Sequence, residues 1–250
     1  MDNTTKFTGI AAVYAKARPD YAPVFIDWLY GDAGMKTDSV VADIGSGTGI
    51  FSKALLEKGS TVYGVEPNVD MRATAENTLC GFPNFHSVNG TAENTTLEAN
   101  SVDFITVAQA FHWFDVDSFK AECRRIIKPN GKVVLVWNSR VSTSKLVKEN
   151  ALICKKYCPN FKGFSGGLEQ IDADISKFFD NRFELKRFEN DLLFEKAKFI
   201  ERSLSASYSL KETDSDYKSY IFELEALFNK YAVGNILTVP NETVGYIGLM

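Results

Sequence analysis

After residue 38 one alternation repeats about five times, a short β-branched apolar run followed by a longer amphipathic stretch, and few folds accept that pattern. The runs Ser39–Ile44, Thr61–Val65, Asn84–Val88, Val102–Ala108 and Lys132–Trp137 are nearly continuously apolar, as strands covered on both faces must be. Between them, stretches such as Ile50–Glu57 and Val69–Leu79 carry helical periodicity. Strands joined by right-handed helical crossovers make an α/β fold with an open, doubly wound, mostly parallel sheet. Pro129-Asn130-Gly131 reads as a turn that ends a helix over Ser118–Ile127 and opens the fifth strand.

After Asn138 the rhythm breaks. The residues from Ser144 to Phe179 read as helix with an irregular segment at Gly163–Gly167, followed by a strand at Arg182–Phe188, helices at Lys196–Leu204 and Ser215–Tyr231, and a last strand at Glu242–Gly248. The expectation is one domain over 1–250: a core at 36–140 completed by strands near 182–190 and 241–249, with a helical lid at about 141–180 and 195–232. At 250 residues and 45% hydrophobic, such a chain buries a core without staples, so its four cysteines are expected to be free thiols. A net charge of -4 offers no basic field for nucleic acid. No apolar run long enough to span a membrane and no signal-like amino terminus is evident, and a cytoplasmic protein is the expectation.

The stretch Val40-Val41-Ala42-Asp43-Ile44-Gly45-Ser46-Gly47-Thr48-Gly49-Ile50-Phe51 ends a buried strand, turns on alternate glycines and opens a helix. Glycines there let a ligand approach bare backbone while the helix start points N–H groups at it. A dinucleotide loop would place its third small residue one position later, where Ile50 stands, and Asp43 would repel a pyrophosphate. An acid beside the loop suits a ligand with a cationic amino group instead. Glu66, at the end of the second strand, stands where a carboxylate accepts both ribose hydroxyls.

These residues resemble the class I S-adenosylmethionine-dependent methyltransferases, and more narrowly the small-molecule enzymes of the Methyltransferase-11 and trans-aconitate methyltransferase type. VADIGSGTG matches the first motif of that family and GVEPNVDM the second. Gly90-Thr91-Ala92-Glu93 is similar to the segment that flanks the adenine, and Gln109-Ala110-Phe111-His112-Trp113-Phe114-Asp115 to the fourth motif. Tyr14 and Arg18-Pro19 resemble an amino-terminal element that closes over the cofactor's carboxylate. The resemblance implies a seven-stranded Rossmann-like sheet, S-adenosylmethionine as cofactor and a small-molecule acceptor, a carboxylate or other oxygen nucleophile, with no metal. It places the cofactor against Tyr14, Arg18, Asp43, Gly45, Ser46, Gly47, Thr48, Gly49, Glu66, Pro67, Met71, Ala92, Glu93, Gln109 and Ala110. Arg18 reads equally as a surface ion-pair residue, and Met71 nearly as well as plain packing.

Methyl transfer from a sulfonium is an in-line displacement that depends on alignment, and an ionised carboxylate acceptor needs no base. For an alcohol or amine, His112 is the candidate base; the alternative has His112 and Trp113 packing beneath the cofactor. Trp137, Asn138, Arg140 and Arg202 are candidates for the acceptor site, the arginines offering a planar fork to an acid. His86 is expected to be buried in or beside the third strand. Two other readings stand beside this one: an NAD-linked Rossmann oxidoreductase, and a methyltransferase-like module that binds cofactor without turnover.

Overall fold

The computed structural model describes residues 19–164 and 171–250. Tyr14, Arg18 and part of the Gly163–Gly167 segment lie outside the described residues. The described chain divides into two compact units.

The first unit holds residues up to Trp137, then 171–188 and 243–250. Its strands follow the sequence closely: β1 (Val40–Ile44), β2 (Thr61–Val65), β3 (Phe85–Val88), β4 (Val102–Ala108) and β5 (Ile127–Arg140). Later come β6 (Glu184–Glu189) and β9 (Asn241–Leu249), and between them in sequence lies a short pair that belongs to the second unit, β7 (Leu192–Phe194) and β8 (Leu237–Val239). Seven of them form one sheet in the order β3-β2-β1-β4-β5-β9-β6. β1 pairs in parallel with both β2 and β4, so the strand order reverses between β1 and β4. That reversal opens a crevice beyond the carboxyl ends of these two strands, where open α/β sheets bind ligands. The proline-asparagine-glycine turn proves to be a bulge inside β5, because Val102 pairs with Ile127 while Phe104 pairs with Lys132.

Alternation along the strands separates two cores. Ala42, Ile105, Val107, Val133, Leu135 and Trp137 face one side, and Val41, Phe104, Val134 and Val136 the other. Helices α1 (Pro23–Gly31), α2 (Ile50–Glu57) and α3 (Val69–Leu79) supply Phe25, Leu29, Phe51, Leu55 and Leu79 to the second of these. Helix α4 (Val116–Ile126) gives Phe119, Cys123 and Ile126 to the first.

The second unit comprises residues 138–164 and 189–242 as described. It contains α5 (Lys145–Tyr157), then, after an intervening helix of the first unit, α6 (Ile171–Phe178), its own α7 (Lys196–Leu204) and α8 (Tyr217–Tyr231), and the antiparallel β7–β8 pair. Its separate core joins Leu146, Phe199, Tyr220, Leu224 and Phe228.

Several expectations change. Helix α6 falls in the span 141–180 read as lid, yet its Ile175 and Phe178 lie in the sheet core, Phe178 stacked on Phe119 at 5.2 Å. His86 is exposed, not buried: β3 is an edge strand, and the ring stacks on Tyr63 at 4.7 Å. The helix before the bulge stops at Ile126, since Ile127 already pairs in the sheet. The four cysteines are free, three of them buried.

Candidate cofactor-binding site

The glycine loop crosses from β1 to the end of β2, where the Gly45 and Ser46 N–H groups donate to the Val65 carbonyl at 2.8 and 3.2 Å. Gly45 (φ +68°) leaves no room for a side chain, because a Cβ there would stand 2.7 Å from that of Ala110. Gly47 (φ +56°) is the opposite case, with nothing within 4 Å of a would-be Cβ. One glycine lets the loop lie against the carboxyl end of β4, and the other keeps an open face. Helix α2 begins at Gly49 with no side chain capping it, so the partial positive charge of its first turn is offered to whatever lies on the loop.

Asp43 sits fully buried beneath this loop. Its carboxylate accepts from Ser52 Oγ at 2.6 Å and from Thr106 Oγ1 at 2.9 Å, tying β1 to α2 and β4. Burial pushes its pKa up to about 6 against the pull of the two hydroxyls, and the neighbouring Glu66 adds to the rise. Asp43 therefore anchors the loop and offers no exposed surface for contact with a ligand.

Glu66 is half-buried at the end of β2. The Gly47 N–H donates to Oε2 at 3.0 Å and the Asn68 N–H to Oε1 at 2.9 Å, which leaves each oxygen a further lone pair. Burial raises this carboxyl's pKa, opposed by those two N–H groups and by Arg72. Asn68 caps α3, its Oδ1 accepting from the Asp70 and Met71 N–H groups at 3.0 Å each. Arg72 Nη1 donates to the carbonyls of Glu66 and Pro67 at 2.9 and 2.8 Å and to Asn89 Oδ1 at 3.1 Å, locking the ends of β2 and β3 together. Met71 is buried in this corner.

The segment after β3 puts Ala92 into the sheet core and leaves Glu93 exposed, its Oε1 accepting from the Asp115 N–H at 3.1 Å. At the end of β4, Gln109 adopts φ +59° and its N–H donates to the Val136 carbonyl, which turns the chain sharply at the sheet's rim. A single 3-10 turn, Phe111–Trp113, follows. Phe111 is buried against Trp137 and Phe178, while Trp113 is 38% exposed with its ring 4.6 Å from that of His112. Trp137 is buried near the end of β5, and its indole N–H has no hydrogen-bond partner among the described residues.

Hydrogen bonding, charge and close packing thus bring Asp43, the Gly45–Gly49 loop, Glu66 and Ala110 together at the carboxyl ends of β1, β2 and β4. Arg140 belongs to the second unit, where its guanidinium lies 4.1 Å over the Phe164 ring, and Arg202 closes α7 in the same unit. Sequence reasoning missed Ser52, Thr106, Asn68 and Arg72. Of these only Asn68 carries a local signal, a capping residue directly before a helical run. Among the described residues no group of three or more histidine, cysteine or acidic side chains is placed to hold a metal ion. No helix among them is long and apolar enough to cross a membrane.

Residues 42–135 match the Methyltransf_11 family of methyltransferase domains. An uncharacterized methyltransferase of Mycobacterium tuberculosis is 36% identical over 148 residues, 59% of this chain and 58% of that protein. The match thus spans little more than half the length of the relative. A structure described as a putative type II methyltransferase from Anaeromyxobacter dehalogenans superposes with a TM-score of 0.64 at 22% identity, covering 92% of this chain and 95% of the other. A phosphoethanolamine N-methyltransferase 2 from Haemonchus contortus, solved with S-adenosyl-L-methionine, gives a TM-score of 0.52 at 18% identity, covering 99% of this chain and 58% of that one. Residues 42–135 are thus similar to methyltransferase domains, and the sheet has the fold of S-adenosylmethionine-dependent methyltransferases. The cofactor fits the observed site: the face at Gly47 is open and a half-buried carboxylate stands beside it.

Proposed function

We propose that this protein transfers a methyl group from S-adenosylmethionine to a small-molecule oxygen nucleophile, with a carboxylate as the preferred acceptor. When bound, S-adenosylmethionine supplies an electrophilic methyl on a positively charged sulfur. Glu66 accepts the ribose hydroxyls with its remaining lone pairs, Ala92, Glu93 and Met71 form the adenine slot, and the loop over Asp43 takes the methionine end. Gln109, Ala110 and the turn carrying His112 and Trp113 flank the reacting end. No proton has to move for an ionised carboxylate, so the residues there orient and exclude water.

The observation that carries the acceptor reading is the buried Trp137 indole N–H with no hydrogen-bond partner among the described residues. A donor of this kind suits the lone pair of an oxygen, whereas a protonated amine has none to offer. The resemblance to trans-aconitate methyltransferases supports the same chemistry. His112 would act as a base only for an unionised acceptor. The test is transfer of labelled methyl into a panel of carboxylic acids, phenols and amines. Label is expected in carboxylic acids, and Trp137→Phe should raise the acceptor KM about tenfold while leaving cofactor affinity unchanged. Turnover confined to amines contradicts the acceptor reading, and cofactor binding with no turnover on any compound favours the non-catalytic module.

A further inference from the structure

Helix α4 and the loop after β3 are fastened together at two points about two helical turns apart. At the helix start Asp115 N–H donates to Glu93, as above. Farther along, the Thr95 N–H and hydroxyl both donate to Glu122 Oε1, at 2.8 and 2.5 Å. Arg125 closes the arrangement, Nε to Oε2 and Nη2 to Oε1 at 2.7 Å each. Thr95 and Glu122 are buried, and the loop has little slack around them. A Cβ on Gly90 would stand 2.8 Å from the Thr95 carbonyl oxygen, and the Thr91 N–H donates to the Asn94 carbonyl at 3.0 Å. Burial alone would lift the Glu122 carboxyl, but the bonds from Arg125 and Thr95 outweigh it and bring the pKa to about 2, which keeps Glu122 a charged acceptor at neutral pH.

We infer that Glu122, which lies outside every cofactor motif, is a positioning residue for the cofactor: by fixing Thr95 it holds the loop Gly90–Thr95 in the shape against which the adenine packs. Without the carboxylate, two buried donors on Thr95 lose their acceptor, and the loop has to shift to bring them to water. That shift displaces Ala92 and Glu93, the adenine wall. The inference rests on the placement of adenine at Ala92 and Glu93 and is independent of which acceptor is methylated.

The experiment compares the wild type with Glu122→Ala, Glu122→Gln and Thr95→Val. It measures calorimetric affinities for adenosine and S-adenosylhomocysteine and the amide hydrogen exchange of residues 91–96. Adenosine should slow exchange at 91–96 in the wild type. Glu122→Ala should weaken both ligands by the same factor, about tenfold or more, since adenosine lacks the methionine half. It should also speed exchange at 91–96 while leaving β4 unchanged. Glu122→Gln keeps an oxygen for Thr95 and should stay within about threefold of the wild type, with Thr95→Val in between. Wild-type affinity for both ligands in Glu122→Ala overturns the proposal, as does a loss of S-adenosylhomocysteine affinity without a loss for adenosine. If adenosine leaves exchange at 91–96 untouched in the wild type, the adenine placement falls and the proposal with it. Should Glu122→Ala not fold, unchanged affinities in Thr95→Val serve as the contradicting result.

Discussion

At the scale of single residues the site depends on a carboxylate kept out of water. With a pKa of about 6 in the fold against an ordinary 3.8, Asp43 binds its proton more tightly in the native than in the unfolded chain. Stability linked to it is therefore fully present below the unfolded value and is lost as pH rises through about 6. Urea unfolding of the wild type and Asp43→Asn from pH 4 to 8 should show the wild type losing stability relative to the variant across that window; parallel profiles would contradict it. Gly45 gives a steric prediction. Gly45→Ala combines a left-handed backbone with a Cβ 2.7 Å from that of Ala110, and should cost roughly 1–3 kcal/mol and weaken cofactor binding. Adding Ala110→Gly should recover the steric part in a thermal melt, and a melt of Gly45→Ala equal to the wild type would contradict the close packing. The motif residues were legible because glycines and acids announce their chemistry. Ser52 and Thr106 were not, since a hydroxyl in a helix or strand carries no sign of which carboxylate lies across the sheet.

Among elements, legibility followed burial. Strands β1, β2 and β4 are covered on both faces; β2 and β4 were read from the sequence with their observed limits and β1 to within one residue, as was the amphipathic helix α7 with its own. The three-residue strands β7 and β8 are too short to show a period, and α1, which buries Phe25, Ile26 and Leu29, lies before the alternation that marks the other elements. Helix α6 was seen but assigned to the lid, because periodicity gives the buried face of a helix and not what it is buried against. Phe178→Ala tests its place. The ring is fully buried against Phe111, Phe119 and Phe179, so the loss should be about 3–5 kcal/mol in denaturant unfolding of the sheet unit. A loss below about 1 kcal/mol would mean α6 is peripheral to that core.

For the whole molecule, the methyltransferase match ends at residue 135, just before the second unit begins at 138. Cofactor chemistry was readable because it lies in the shared half of the chain. Arg140, expected from the sequence to serve the acceptor, has neighbours that arrive from distant sequence, Phe164 among them. The two halves of the functional reading therefore stand on different ground, and the cofactor half is the one on which the rest depends. Calorimetric titration of the full chain with S-adenosylmethionine, repeated with Glu66→Ala, tests it most directly. Micromolar binding by the wild type is expected, with at least a tenfold weakening in the variant, about 1.4 kcal/mol for the lost ribose contacts and the loosened Gly47. Absence of binding by the wild type, or equal affinity in the variant, would contradict the site described.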